Sequence, residues 1–284
     1  MLNIKRLSIV ASLLLLVGIV GSLVTYQLIE KPKSVTQEID IEDNDFTGID
    51  IIMNDGHVEL IPTDASGAFI EISGYDITGD VSATVEESTL TIVHKEKKQK
   101  LVSVNLGAKP TIVKVHVPQK NYDTLRIQSD NGIIDVSDIN ADLMTLESDN
   151  GKINADHLEG TTVKAKAHNG RIHFKQITAD SVSIDSDNGR IELEDIKGQL
   201  SAKANNGRIE LLAESLDYPV DMTTDNGRID LQTVNAPTNA TIIAQATNGS
   251  STIFDEKKSH TVFGSGELPI TLSSKNGKIT VGQH

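Results

Sequence analysis

The chain has 284 residues, a formal net charge of -14, 3% aromatic residues, 21 Gly, no Trp and no Cys. The missing Cys excludes disulfides, thiolate nucleophiles, thiolate metal sites and a lipid-modified Cys anchor. The acidic balance argues against a nucleic-acid partner, since phosphate binding needs a basic surface, and the length suits one elongated domain or two compact ones.

The first element is apolar. Leu7 to Ile29 carries no charged side chain and includes Leu13-Leu14-Leu15-Leu16-Val17. As a helix this run would span roughly 34 Å, enough for a hydrocarbon core of ~30 Å. A cleaved signal peptide would have a shorter apolar core and a small-x-small site; here the run ends Leu23-Val24-Thr25-Tyr26-Gln27. The expectation is an uncleaved single-pass anchor over 7–29. Lys5 and Arg6 place the tail 1–6 in the cytoplasm and the bulk of the chain outside, behind a linker over 30–38.

Residues 39–122 read as irregular β-structure capping a C-terminal repeat array. Met53-Asn54-Asp55-Gly56-His57-Val58-Glu59-Leu60 resembles one unit of that array, with its corner at Asp55-Gly56. Ala83 to Val93 predicts a hairpin turning near Glu87-Ser88, and Ile112 to Pro118 a strand ending at proline. Lys95, Lys97, Lys98 and Lys100 form a basic cluster, read either as a solvated loop or as a contact for anionic lipid or envelope polymer.

From 123 to 284 one unit recurs. Asn-Gly steps fall at Asn131-Gly132, Asn150-Gly151, Asn169-Gly170, Asn188-Gly189, Asn206-Gly207, Asn226-Gly227, Asn248-Gly249 and Asn276-Gly277, so successive Asn differ by 19, 19, 19, 18, 20, 22 and 28. A period of this size marks a stacked array. Within a repeat such as Ser181 to Gly198, apolar residues alternate on both sides of Asn-Gly, which predicts two short strands. Asn-Gly tolerates positive φ and predicts one corner; Lys197-Gly198 predicts the second. Columns persist: Ile134, Ile153, Ile172, Ile191, Ile209, Ile229 and Ile279 lie three after the Asn, and a small residue always lies two before it. The final unit, Ser274 to Val281, is expected to close the far end.

The exposed columns carry charge. Before the Asn stand Asp130, Asp149, His168, Asp187, Asn205, Asp225, Thr247 and Lys275; two after it stand Ile133, Lys152, Arg171, Arg190, Arg208, Arg228, Ser250 and Lys278; four after it stand Asp135, Asn154, His173, Glu192, Glu210, Asp230, Thr252 and Thr280. Adjacent columns of opposite sign would offset the repulsion along each column. A sharper reading of the Asp column is a strip binding cations or polymer, although calcium needs ligands converging on a point rather than along a line.

Two architectures fit the alternation. In a parallel β-solenoid each repeat is one coil; in an antiparallel meander each Asn-Gly closes a hairpin. A meander leaves its apolar face uncovered, and column identity is what stacking requires, so the expected fold is all-β, a parallel and right-handed β-solenoid. About eight coils would make a rod roughly 40 Å long.

No nucleophile elbow, phosphate loop, dinucleotide fingerprint or zinc-helix motif is present. His168 and His173 bracket one corner, but two His without a third ligand make a poor metal site. His168 also interrupts the Asp column and would relieve repulsion there. Asp187 near Arg190 and Asp225 near Arg228 are the pairs that a polysaccharide-cutting β-helix enzyme would use, yet they recur as structure does. No catalytic, cofactor or metal residue is therefore assigned.

The N-terminal span, the stretch Asn54 to Leu60, the Val115-His116-Val117-Pro118 strand end and the Ser-Asp-Asn-Gly-Arg-Ile-Glu-Leu units together resemble the bacterial putative-adhesin family of β-repeat proteins, most narrowly its membrane-anchored LiaG-type members from envelope-stress operons. The resemblance implies a β-helix-like extracytoplasmic domain and no catalytic residues. The expected function is a non-enzymatic adhesive, scaffolding or sensing surface at the cell envelope. Its expected partners are the membrane, through 7–29, and cell-wall polymer or envelope proteins. A polysaccharide-active enzyme and a rigid spacer are the alternatives.

Overall fold

A computed structural model describes residues 14–19, 34–75, 79–96 and 111–284. The chain divides into Met1–Ser34 and Val35–His284. In the first unit residues 14–19 are helical, with Leu14, Leu15, Leu16, Val17 and Ile19 exposed. The rest of the apolar run over 7–29 lies outside the described residues, and among those described no helix is long and apolar enough to cross a membrane.

The second unit is all-β. Its strands are β1 (Ser34–Asp40, beginning one residue before the division), β2 (Gly48–Thr63), β3 (Phe69–Tyr75), β4 (Gly79–Glu86), β5 (Thr89–Glu96), β6 (Ile112–Pro118), β7 (Asn121–Ser137), β8 (Asn140–Ala213), β9 (Val220–Asn226), β10 (Ile229–Thr233), β11 (Ala240–Ala246), β12 (Ser250–Ile253), β13 (His260–Val262), β14 (Leu268–Asn276) and β15 (Lys278–Gln283). They form one large, mostly parallel sheet with a β-solenoid-like repeat. The long β8 is one ladder carried through the corners at Asn150, Asn169, Asn188 and Asn206. Asn131 lies beside Asn150 and Gly132 beside Gly151 in parallel register, so the hairpin alternative fails: each Asn-Gly turns within a coil.

Alternation explains burial. The Ile column from Ile134 to Ile279 is wholly inaccessible, as are Leu146, Phe174 and Leu272. Two before the corner, Ser129, Ser148, Ser186 and Ala204 are buried as well. Larger side chains there would overpack the narrow interior.

The expectation of positive φ holds at only some corners. None of the corner Asn residues adopts it, while Gly56, Gly132 and Gly170 do, at 117°, 157° and 157°. What requires glycine along the whole stack is the coil beneath. A Cβ on Gly151 would sit 1.9 Å from the Gly132 carbonyl oxygen, one on Gly189 1.8 Å from that of Gly170, and one on Gly207 1.7 Å from that of Gly189. The second corner does use left-handed backbone. It opens seven residues after the Asn, at Asp138, His157, Gln176 and Asp195, with φ of 57°, 52°, 51° and 51°. It therefore starts before the expected Lys197-Gly198 step, although Gly198, with φ of 121°, is part of it. Non-Gly residues in this region cost of order 1–3 kcal/mol each; here equivalent residues in successive coils share the conformation.

Both ends depart from chain order. Following each glycine to the carbonyl its Cβ would strike, the corners stack as Gly56, Gly132, Gly151, Gly170, Gly189, Gly207, Gly227, Gly277 and Gly249. The last unit thus slides between its two predecessors: β14 lies between β9 and β11, and β15 between β10 and β12. Ser274 to Val281 does not close the far end, as the sequence suggested. Placed inside, these strands have ladder partners on both edges, whereas the outermost β11 has its free edge covered by antiparallel β13. Covering an edge in this way blocks unwanted strand pairing.

The opposite end obeys the same logic. β2 stacks on β7 with Asp55 beside Asn131 and Gly56 beside Gly132, as the repeat-like stretch predicts. β5 and β6 lie parallel on the other side of β2, and antiparallel β4 and β3 cover them. The hairpin turns at Glu87 and Ser88, both at positive φ (49° and 59°). Phe46 and Tyr122 stack at 6.0 Å between ring centres beside this cap, and the Tyr122 hydroxyl donates to the Pro118 carbonyl at 2.6 Å.

Replacing Gly189 by Ala is expected to cost about 3 kcal/mol or more, because backbone rather than a flexible side chain blocks the new methyl. Asn188→Ala, which removes only side-chain hydrogen bonds, should cost about 1–2 kcal/mol. Guanidinium unfolding curves would measure both; a loss under about 0.5 kcal/mol for Gly189→Ala would contradict the close-stacking geometry.

Candidate functional site

The corners form a ridge, and its crest is a ladder of amides. Each Asn side-chain NH2 donates to the side-chain oxygen of the preceding corner: Asn131 to Asp55 at 2.8 Å, Asn150 to Asn131 at 3.0 Å, Asn169 to Asn150 at 2.9 Å, and Asn188 to Asn169 at 3.1 Å. Asn206, Asn226, Asn276 and Asn248 continue it at 2.9, 2.9, 2.8 and 2.9 Å. Parallel in-register stacking is what lets one amide satisfy the next. Asn, with a donor and an acceptor on one short side chain, suits both neighbours at once.

The column before the Asn forms one flank. His168 stands between two aspartates, its Nδ1 2.6 Å from Asp187 and its Nε2 3.6 Å from Asp149. Asn205 donates to Asp187 at 2.8 Å, Asn54 to Asp130 at 2.9 Å, and Lys275 pairs with Asp225 at 2.8 Å. Each carboxylate thus meets a donor one coil away, and the column is partly neutralised from within. The hydrogen bond from His168 holds the Asp187 carboxyl below its usual range, outweighing partial burial; Lys166 and Asn205 add to this.

The other flank pairs a basic column with an acidic one. Arg190 reaches Glu192 at 3.0 Å and Arg171 reaches Glu192 at 3.8 Å. Arg208 contacts Glu210 and places its Nε and a terminal nitrogen 3.0 and 2.7 Å from Asp230, which Arg228 also approaches at 3.6 Å. Nearer the cap, His57 meets Asp135 at 2.6 Å and Asn154 hydrogen-bonds the same carboxylate. Burial pushes Asp135 up, but the bonds from His57 and Asn154 and the charges of His57 and Lys152 outweigh it and hold the carboxyl low.

This placement separates the pairs considered for catalysis. Asp187 goes to His168 and Asn205, while Arg190 goes to Glu192; Asp225 goes to Lys275, while Arg228 goes to Asp230. His168 and His173 fall on opposite flanks, since His173 lines a hollow with Glu192 and Glu210. Among the described residues no group of His, Asp or Glu is arranged to hold a metal ion. Of the lysine cluster, Lys95 lies on β5 beside Asp80; Lys97, Lys98 and Lys100 lie outside the described residues.

One concavity escaped sequence reading. A trough of about 900 Å³ runs over the second corners, lined by Asp138, His157, Gln176 and Asp195 and bounded by Glu214, Asp217 and Tyr218. The only signal was the lengthened spacing around 206–226, where the chain leaves the coil over 214–219. Burial, reinforced by the charges of Asp195 and Asp217, pushes the Tyr218 phenol above its ordinary range.

The family model described as Toastrack DUF4097 matches residues 46–282, from the cap through the last coil. The chain belongs to the Toastrack DUF4097 family. No curated protein matches it. Among solved structures, it is similar to a protein from Bacteroides fragilis NCTC 9343 called a putative adhesin, with 16% identity, a TM-score of 0.54, and coverage of 89% of this chain and 98% of that one. Proteins from Parabacteroides merdae ATCC 43184 (putative adhesin; 16% identity, TM-score 0.44, coverage 88% and 96%) and Parabacteroides distasonis ATCC 8503 (putative lipid binding protein; 15% identity, TM-score 0.45, coverage 89% and 97%) also match. At 16% identity the likeness to the Bacteroides fragilis protein speaks to fold alone.

The histidine of this Toastrack ridge gives a pH test. A carboxyl held low in the folded state stabilises the fold above its unfolded value of about 3.9, and that contribution is lost as pH falls through the lower folded value. Substituting His168→Gln should raise the Asp187 midpoint toward the ordinary aspartate value while leaving Asp135 unchanged, read by carboxyl-carbon NMR. An unmoved Asp187 midpoint would contradict the assigned contact.

Proposed function

We propose that this Toastrack protein is a non-enzymatic binding surface at the cell envelope, adhesive or scaffolding in kind, tethered to the cell membrane by residues 7–29 with its N-terminus in the cytoplasm. The observation that carries the reading is the repetition of the ridge. The same donor and acceptor columns recur coil after coil, and the acid and base side chains considered for a catalytic pair are partnered elsewhere. A catalytic centre needs one singular convergence of groups on a reacting atom. A repeated surface instead offers many weak contacts along a line, which sum when the partner also repeats. Family membership and the adhesin-named relative support the reading, and the apolar N-terminal run supports the tether. A part in envelope-stress response rests only on the LiaG-type resemblance.

The test is retention. The purified chain should sediment with isolated cell-wall or envelope-membrane fractions at low and moderate salt, and should leave the length of anionic glycans unchanged on prolonged incubation with calcium. Failure to sediment with either fraction, or shortening of the glycan, would overturn the proposal.

A further inference from the structure

The basic column is longer than its acidic partner. Cations occupy the position two after the Asn in six successive coils, as Lys152, Arg171, Arg190, Arg208, Arg228 and Lys278, bounded by Ile133 and Ser250. In these six coils the acidic column supplies Glu192, Glu210 and Asp230; beside Lys152, Arg171 and Lys278 it holds Asn154, His173 and Thr280, and the Asp135 carboxylate one coil away is engaged by His57 and Asn154. Among the described residues Lys152 makes no ion pair within 4 Å and acts on Asp135 only at longer range, and Arg171 reaches a carboxylate only at 3.8 Å. Internal charge pairing therefore does not account for the whole row.

The arginines also stand further out than the acids. Arg171, Arg190 and Arg228 side chains are 49%, 46% and 53% exposed, against 25% for Glu192 and 14% for Asp230. Beside them Gly170 and Gly189 leave an open groove of about 600 Å³, lined by Lys152, Arg171, Arg190 and Arg208. The glycines that stacking demands thus also clear a path along the row.

We infer that this groove binds an extended, base-free polyanion, its charges laid along the guanidinium row one coil at a time. The inference rests on the binding-surface reading and names the ligand class of that surface. Guanidinium groups suit phosphate because their planar fork can donate two hydrogen bonds to it. A thread fits better than a sheet. Asp149, Asp187 and Asp225 line one side of the ridge and Glu210 and Asp230 the other, so a flat anionic bilayer would meet repulsion on both flanks. Single-stranded nucleic acid fits poorly, because its usual platforms are aromatic and no aromatic side chain lines this groove.

Long-chain inorganic polyphosphate is the probe, titrated into the purified full-length chain at about 50 mM salt and upward. Wild type should bind, with affinity falling as salt rises. Lys152→Gln with Arg171→Gln, at two positions with no carboxylate beside them in their own coil, should weaken binding at least tenfold and lower the salt slope by about 2, one for each cation removed. Arg171→Lys with Arg190→Lys keeps the charge but loses the fork, and should fall between. Lys164→Gln with Lys166→Gln, removing two exposed cations on the strand before the corner, should change affinity less than twofold; circular dichroism would confirm that each variant folds. No binding by wild type, equal losses in row and control variants, tighter binding of single-stranded oligonucleotide, or equal row-dependent binding to phosphatidylserine vesicles would each overturn the inference. If envelope fractions retain the chain while polyphosphate does not bind, the ligand class fails and the binding-surface reading stands.

Discussion

Everything in the repeat depends on how closely one coil approaches the next at the Asn-Gly corner. There the backbone of each coil rests on the carbonyl of its neighbour, with no room for a methyl group. Glycine is required by that contact, and once it fixes the register every other column is fixed with it. Isoleucine falls on isoleucine, serine on serine, and asparagine on asparagine. The buried columns supply hydrophobic stabilisation; the amide ladder satisfies polar groups at a bend where regular pairing is most easily lost.

The same register makes electrostatics a problem to be solved locally. Stacking like residues crowds like charges along a line. The chain answers in two ways. It places a donor such as His168, Asn205 or Lys275 inside the acidic column, and it sets a basic column beside an acidic one so that pairs form diagonally between coils. Exposed pairs of this kind stabilise little individually, so their regularity bears more on the shape of the surface potential than on folding energy.

Much of this was legible from residue order. The period, the inward Ile and small columns, the Asp55-Gly56 coil, the Glu87-Ser88 hairpin and the role of His168 between aspartates all came from spacing and side-chain type. The second corner was less visible, because Asp138, His157, Gln176 and Asp195 share no single identity across the coils; Asp and His tolerate left-handed backbone better than most residues, but Gln176 adopts it as well. The inverted order of the last two coils was hidden for a deeper reason. When every coil carries the same columns, any two can pair, and only the stretched spacings of 22 and 28 hinted that the chain travels farther there. The trough beside Tyr218 arises where a coil is interrupted, and periodic reasoning passes over interruptions. The extent of the cation row was readable; its exposure relative to the acids was not.

The central claim is that equivalent residues lie over one another, with the final unit inserted before its predecessor. A chain without cysteine allows a direct test by paired substitution and mild oxidation, since facing residues on neighbouring strands lie ~4.8 Å apart, within the Cα range a disulfide accepts, and residues two coils apart do not. Thr223 faces Ser273, and Ser273 in turn faces Gln245. The account predicts that Thr223→Cys with Ser273→Cys cross-links within one chain, whereas Thr223→Cys with Gln245→Cys does not. Cross-linking of the second pair and not the first would mean that the coils stack in simple chain order, and would contradict it.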